Sequence, residues 1–334
     1  MNRLTEKLIR LIYMLMIKCG VFRLLAKILH ITAETGRGSD ICLEEGFLPV
    51  PVHFYSPIPD IRDLEARKVW DMRSDMPGID FRAEAQVKML TELGVLYGAE
   101  CRWPLDASGN PSEFFVRNPS FSYGCAAAAH SMIRHFRPET IIEIGSGMSS
   151  RVIARAVGMN GKAANYTIVD PYPSDVVRNK IGNLTNLRET RVELTEADFF
   201  SSLRKGDILF IDSGHSVKIG GDVNYLFMEI LPRLAPGVIV HLHDINLPFE
   251  YPKAYAVNES FRQFWTEQYL LQCFLAFNDR FEVLLAMNYL MTDHPVLFQK
   301  AFQGFDPAVH TLRSGSFWMR RKPMPYEEVF TCAS

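Results

Sequence analysis

"TIIEIGSGMSSRVIARAVG", residues 140–158, passes from a short apolar run through two glycines into a stretch with helical spacing. The β-branched residues of 140–144 predict a strand. Residues 149–158 predict a helix, with Ser149 or Ser150 as its N-cap. Gly145, Ser146 and Gly147 make the turn between them. A helix entered through such a turn points backbone N–H groups at a ligand. A lone GxG is shared by many nucleotide binders, and Ser150 stands where a dinucleotide fingerprint has its third glycine.

On either side of this stretch, strands and helices alternate. "YTIVD" (166–170), "TRVEL" (190–194), "GDILFID" (206–212), "VIVHLH" (238–243), "RFEVLLAM" (280–287) and "GSFWMRR" (315–321) predict strands. "SDVVRNKIGNL" (174–184), "GGDVNYLFMEILPRL" (220–234) and "SFRQFWTEQYLLQCFLAF" (260–277) predict helices, while residues 289–315 look irregular with a short helix among them. This alternation means an α/β domain with a mostly parallel sheet and helices on both faces.

Upstream, "SYGCAAAAHSMIRHF" (122–136) predicts a helix, and residues 61–100 are helical in parts. Residues 33–60 carry Pro49, Pro51, Pro57 and Pro59, which favour an extended strap, or a lid over a pocket. Residues 1–32 predict one basic amphipathic helix that packs on the protein or on a second copy, or lies on a membrane surface. Its longest uncharged run is far below the roughly 20 residues of a membrane span, and no small-residue cleavage site follows it. The expected domains are thus 1–32, an extension at 33–120, and an α/β domain at 121–334.

The 334 residues are 48% hydrophobic and 22% charged, with a net charge of −2. That composition supports a sizeable core and gives no basic field for nucleic acid. The six cysteines, Cys19, Cys42, Cys101, Cys125, Cys273 and Cys332, include no CxxC pair. They read as reduced structural thiols in a cytoplasmic protein, held at a membrane surface if residues 1–32 lie on one.

Three acids sharpen the glycine turn. Glu143 precedes it at the end of an apolar strand, where a carboxylate would repel a pyrophosphate but suits an ammonium or sulfonium group. Asp170 follows at the spacing of a ribose-binding acid. Asp198, in "TEADFF", could meet an adenine amine. With "EIGSG", "VD", "ADFF" and "DILFIDSGHS…GGDV…LPRLAPGVIVHLHD", the chain resembles class I S-adenosylmethionine-dependent methyltransferases, in a bacterial branch similar to sugar and macrolide O-methyltransferases. The resemblance implies an EC 2.1.1 transferase with a Rossmann-like, seven-stranded sheet of order 3-2-1-4-5-7-6 and an antiparallel last strand. It also implies S-adenosylmethionine as cofactor, with Glu143, Gly145, Ser146 and Gly147 at its methionine end, Asp170 at the ribose and Asp198 at the adenine.

In that order strands four and five are neighbours, so Asp212, His215, His243 and Asp244 meet at one rim. Asp212 borders the cofactor as well. His215 is the expected base. Asp212, Asp244 and His243 are candidate ligands of a divalent cation such as magnesium, although imidazole suits magnesium less than carboxylate does. His241, one pleat further in, reads as a hydrogen-bonded core residue. Tyr55, Tyr123, Glu250 and Tyr251 could reach an acceptor, taken to be a small molecule or glycan hydroxyl. Two other readings are a non-catalytic S-adenosylmethionine-binding scaffold and a nicotinamide-dependent oxidoreductase; Glu143 and the missing third glycine argue against the latter.

Overall fold

Seven strands form a single sheet in the order β3-β2-β1-β4-β5-β7-β6. The structure is a computed structural model that describes residues 3–179, 181–258 and 262–322. β1 (Thr140–Ile144), β2 (Asn165–Val169), β3 (Asn186–Arg188), β4 (Ile208–Ile211) and β5 (Ile239–Leu242) run parallel. β6 (Phe281–Ala286) and β7 (Phe317–Arg321) close the sheet, with β7 antiparallel to both of its neighbours. The central strands are continuous apolar runs because helices cover both faces. Ile141, Ile142, Ile208, Leu209, Phe210, Ile239 and Val240 are all fully buried. Each such side chain contributes roughly 1.5–3 kcal/mol.

The chain divides into two compact units, Met1–Val69 and Trp70–Ser334. The break falls inside the predicted 33–120 extension, because residues after 70 build the sheet domain. Leu90 and Leu93 join its core, and Gln86 Oε1 accepts a hydrogen bond from the backbone N–H of Ala286.

The first unit holds α1 (Arg3–Lys18), α2 (Val21–Thr35), α3 (Ser39–Glu44) and α4 (Ile61–Ala66). The single helix predicted for 1–32 is therefore two, broken at Gly20, whose φ of 73° is the left-handed conformation that glycine tolerates. Met1 and Asn2 lie outside the described residues, as does Cys332.

In the second unit, α5 (Ala83–Tyr97), α6 (Tyr123–Phe136) and α7 (Met148–Met159) precede or follow β1. The buried run Ala126–Ala129 lets α6 lie close against the sheet domain. α7 is capped by Gly147 rather than by a serine; Ser150 Oγ instead accepts the Gly147 N–H at 3.0 Å.

Five further expectations shift. The third strand is Asn186–Arg188, and "TRVEL" contributes a 3₁₀ turn, Val192–Leu194. The helix predicted at 220–234 is α-helical only over Asp222–Tyr225, then π-helical and 3₁₀ towards Pro232. The helix predicted at 174–184 is Asp175–Arg178, and the one at 260–277 is Glu267–Leu275, with residues 180 and 259–261 outside the description. Residues 289–315 meet two helices where one short helix is expected: Met287–Asp293 runs into them and Pro295–Ala301 lies within.

Candidate active site

At the β1 turn, Gly145 has φ +79° and its backbone presses on β4. A Cβ there would lie 2.1 Å from the carbonyl oxygen of Asp212. Gly145→Ala is therefore expected to cost about 2–4 kcal/mol, from steric overlap and from left-handed backbone. Urea unfolding measures it, and an unchanged midpoint would remove the turn from this account.

Glu143 is fully buried. Its carboxylate accepts from Ser149 Oγ at 2.7 Å and from the Tyr166 hydroxyl. Burial pushes its pKa up to about 7, against the pull of these donors. It ties β1 to β2 and α7, and it does not line the cavity in front of the turn.

That cavity, of about 470 Å³, opens beyond the carboxyl ends of β1, β2 and β4. Gly145, Asp170 and Asp212 line it. Asp170 accepts from Ser146 Oγ at 2.5 Å and from the Tyr172 N–H at 2.7 Å. Asp198 is exposed on the turn Ala197–Phe200 and outside the lining, whereas Glu193 lines it. The early end of β3 explains this, since the 3₁₀ turn carries Glu193 to the rim.

A second cavity, of about 460 Å³, opens on the other side of the β5 end. His243, Asp244, Phe121, Tyr123, Cys125 and Tyr255 are among its walls. Between the two cavities, one ligand atom from each of Asp212, His215, His243 and Asp244 lies within 4.8 Å of all the others. His215 Nε2 is 3.3 Å from Asp212 Oδ1 and 3.5 Å from Asp244 Oδ2. His243 Nδ1 is 3.3 Å and 3.4 Å from the same two oxygens. It makes no hydrogen bond of acceptable geometry, although it is buried.

The backbone is bent to build this cluster. His215 and Asp244 have φ of 54° and 55°, in a region that costs a non-glycine residue on the order of 1–3 kcal/mol. Such strain concentrates at functional sites. Glu267, at the start of its helix, supports the cluster: its Oε2 lies 2.8 Å from His215 Nδ1. The Thr266 and Glu267 N–H groups both donate to the His215 carbonyl.

Electrostatics follow the geometry. Burial opposes charge on Asp212, yet His243 and His215 hold its carboxyl well below the usual range. Burial likewise opposes charge on His215, but Asp212 and Glu267 raise it to about 10. Asp244 and Asp212 raise His243 in the same way. Next to it, burial raises the Cys125 thiol, but the charge on His243 together with hydrogen bonds from His243, Ser122 and Ser314 lowers it on balance.

The predicted rim residues thus come together, and Glu267 and Cys125 join them unforeseen. No local signal marks Glu267, 52 residues beyond His215 in the chain. His215 lines neither cavity. His241 is a core residue: it is fully buried, stacks on Phe210 with centroids 3.7 Å apart, and its Nε2 lies 2.8 Å from Ser316 Oγ. Of the four acceptor candidates, Tyr123 lines the second cavity, with its hydroxyl donated to the Cys101 carbonyl. Glu250 and Tyr251 do not; they bond to Tyr269, Gln268 and each other. Tyr55 is exposed in the first unit.

Known proteins similar to this chain include methyltransferases. A family model described as a methyltransferase domain matches residues 142–245. An uncharacterized protein of Archaeoglobus fulgidus is 34% identical over 183 residues, taking in 52% of this chain and 81% of that protein. Among solved structures, the plantazolicin methyltransferase BpumL, in complex with a monoazolic desmethylPZN analog and SAH, is 12% identical with a TM-score of 0.37. The match covers 59% of this chain and 83% of that one. The SAH-bound Podospora anserina methyltransferase PaMTH1 is 15% identical with a TM-score of 0.33, over 83% of this chain and 100% of that one.

Proposed function

Because the chain belongs to the class I S-adenosylmethionine-dependent methyltransferases, we propose that it methylates a hydroxyl oxygen on a small molecule or sugar. The observation that carries this reading is the acid–histidine cluster between two cavities of similar size. Asp212 faces the one beside the glycine turn; His243 and Asp244 face the other. A donor on one side and an acceptor on the other would meet at the cluster.

S-adenosylmethionine would occupy the cavity beside the turn. Asp170, held by its bonds to Ser146 and Tyr172, would accept from the ribose hydroxyls with its remaining lone pairs. Gly145 to Gly147 would leave backbone room for the methionine end, with Glu143 holding the turn from beneath. Glu193 is better placed than Asp198 for the adenine side. The acceptor oxygen then attacks the methyl carbon in line. A carbon–oxygen bond forms, the carbon–sulfur bond breaks, and its electron pair goes to sulfur. The hydroxyl proton passes to Asp244, whose carboxylate lines the acceptor cavity. Holding the two reactants in line supplies on the order of 7–11 kcal/mol. His215 acts from behind: Glu267 fixes its ring, which fixes Asp212 and Asp244.

The same four side chains fit a divalent cation. Their donors converge, the buried His243 Nδ1 lacks a hydrogen bond, and Glu267 orients His215 as carboxylates orient metal-bound imidazoles. Two imidazoles and two carboxylates suit a first-row transition ion better than magnesium. When bound, such an ion supplies a Lewis acid that makes the acceptor hydroxyl more acidic. Metal analysis of the purified protein, with chelation and back-titration, tests this. The expected results are a stoichiometric ion, its loss in Asp244→Asn, and turnover that falls on chelation and returns with the metal. Full turnover by metal-free protein would refute the cation.

A further inference from the structure

The α1–α2 hairpin lies in the first unit, and its composition is unlike the rest of the chain. Over residues 3–35, Arg3, Lys7, Arg10, Lys18, Arg23 and Lys27 stand against Glu6 and Glu34, a net charge of +4. The rest of the chain is net −6.

The charges are sorted. In α1, positions 3, 7, 10 and 18 share one face at helical spacing; in α2, positions 23, 27, 30 and 34 do. The remaining arcs are mostly Leu, Ile, Met, Val and aromatic residues, with Ala and Thr towards the end of α2. Yet α2 has no buried residue. Leu8, Leu11, Leu24 and Ile31 are each 57–60% exposed, and Ile9, Ile12, Met14, Leu15, Ile17 and Ile28 are close to half exposed. Tyr13 and Phe22 meet edge to face, so the helices touch each other while their apolar arcs stay open. An apolar surface of this extent marks an interaction site.

Three observations select the occupant. The apolar arc of α1 spans well over half of its circumference, wider than the seam of a helix pair. Lysines and arginines border the arcs, where long side chains reach outward from an apolar bed to anionic groups. And no helix among the described residues is long and apolar enough to cross a membrane. We propose that the α1–α2 hairpin is a peripheral membrane anchor, which lies in the plane of an anionic lipid surface with its apolar arcs in the acyl boundary and its basic residues at the headgroups.

The test is co-sedimentation of the full chain with vesicles of phosphatidylcholine alone, or of phosphatidylcholine mixed with phosphatidylglycerol. The wild-type chain should partition onto the mixed vesicles at least about tenfold better than onto neutral ones, and lose this preference at high salt. Lys7→Glu/Lys18→Glu/Arg23→Glu/Lys27→Glu should lower that partitioning at least about tenfold. Leu11→Asp/Leu24→Asp should lower binding to both kinds of vesicle. S-adenosylmethionine affinity, measured in the same preparations, should not change, which separates loss of the anchor from misfolding. The proposal is overturned if the chain stays in the supernatant with both vesicles, as it would if the hairpin packed on its own chain. A dimer dissolved by Leu11→Asp/Leu24→Asp but indifferent to lipid would overturn it in favour of a second copy.

Discussion

His243→Ala is expected to lower kcat by roughly a thousandfold, with S-adenosylmethionine affinity unchanged within about threefold. His243 lies in the wall of the cavity proposed for the acceptor and outside the one proposed for the cofactor. Its Nδ1 faces Asp212 and Asp244 together. Removing the ring leaves two carboxylates facing one another with only His215 between them, so Asp244 loses its alignment towards the acceptor. Asp244→Asn should give a loss of similar size, because the amide keeps the shape but cannot take a proton. Single-turnover kinetics with the cofactor bound beforehand read the chemical step directly. A variant with wild-type single-turnover rate would reduce His243 to a structural role.

Asp170→Ala is expected to weaken S-adenosylmethionine about a hundredfold. A carboxylate that accepts from both ribose hydroxyls makes two charge-assisted bonds, each worth about 1.5–3 kcal/mol. Even the lower end of that range gives about 3 kcal/mol, or two decades in Kd. Asp170 already accepts two short bonds, from Ser146 and Tyr172, so its carboxylate is held in place before the ligand arrives. Calorimetry should also find Asp198→Ala close to wild type, since that side chain stands outside the cavity. Unaltered affinity in Asp170→Ala would move the cofactor away from the β1–β2 edge.

The inner sheet was legible because its strands are apolar runs between turn signals, which burial on both faces requires. "TIIEIG" and "DILFID" contain little else. β3 was misread for the converse reason. "NLR" at the sheet edge carries no apolar run, while "TRVEL" has the β-formers and yet turns. At Gly20 a helical pattern continues on both sides, and a single glycine does not reveal whether the chain bends there. In the site, Asp212, His243 and Asp244 could be found because strand ends fix their position. The burial of Glu143 could not, because its partner Tyr166 lies on the next strand. Glu267 was hidden for the same reason: tertiary packing, not sequence spacing, brings it to His215.

The most direct test follows the methyl group. The protein is incubated with S-adenosylmethionine carrying a ¹³C methyl, in cell extract, beside His243→Ala, and the labelled product is read by NMR. The expected product is a labelled methyl ether from the wild type and none above background from the variant. Label on nitrogen, carbon or sulfur, or equal labelling by His243→Ala, would contradict it.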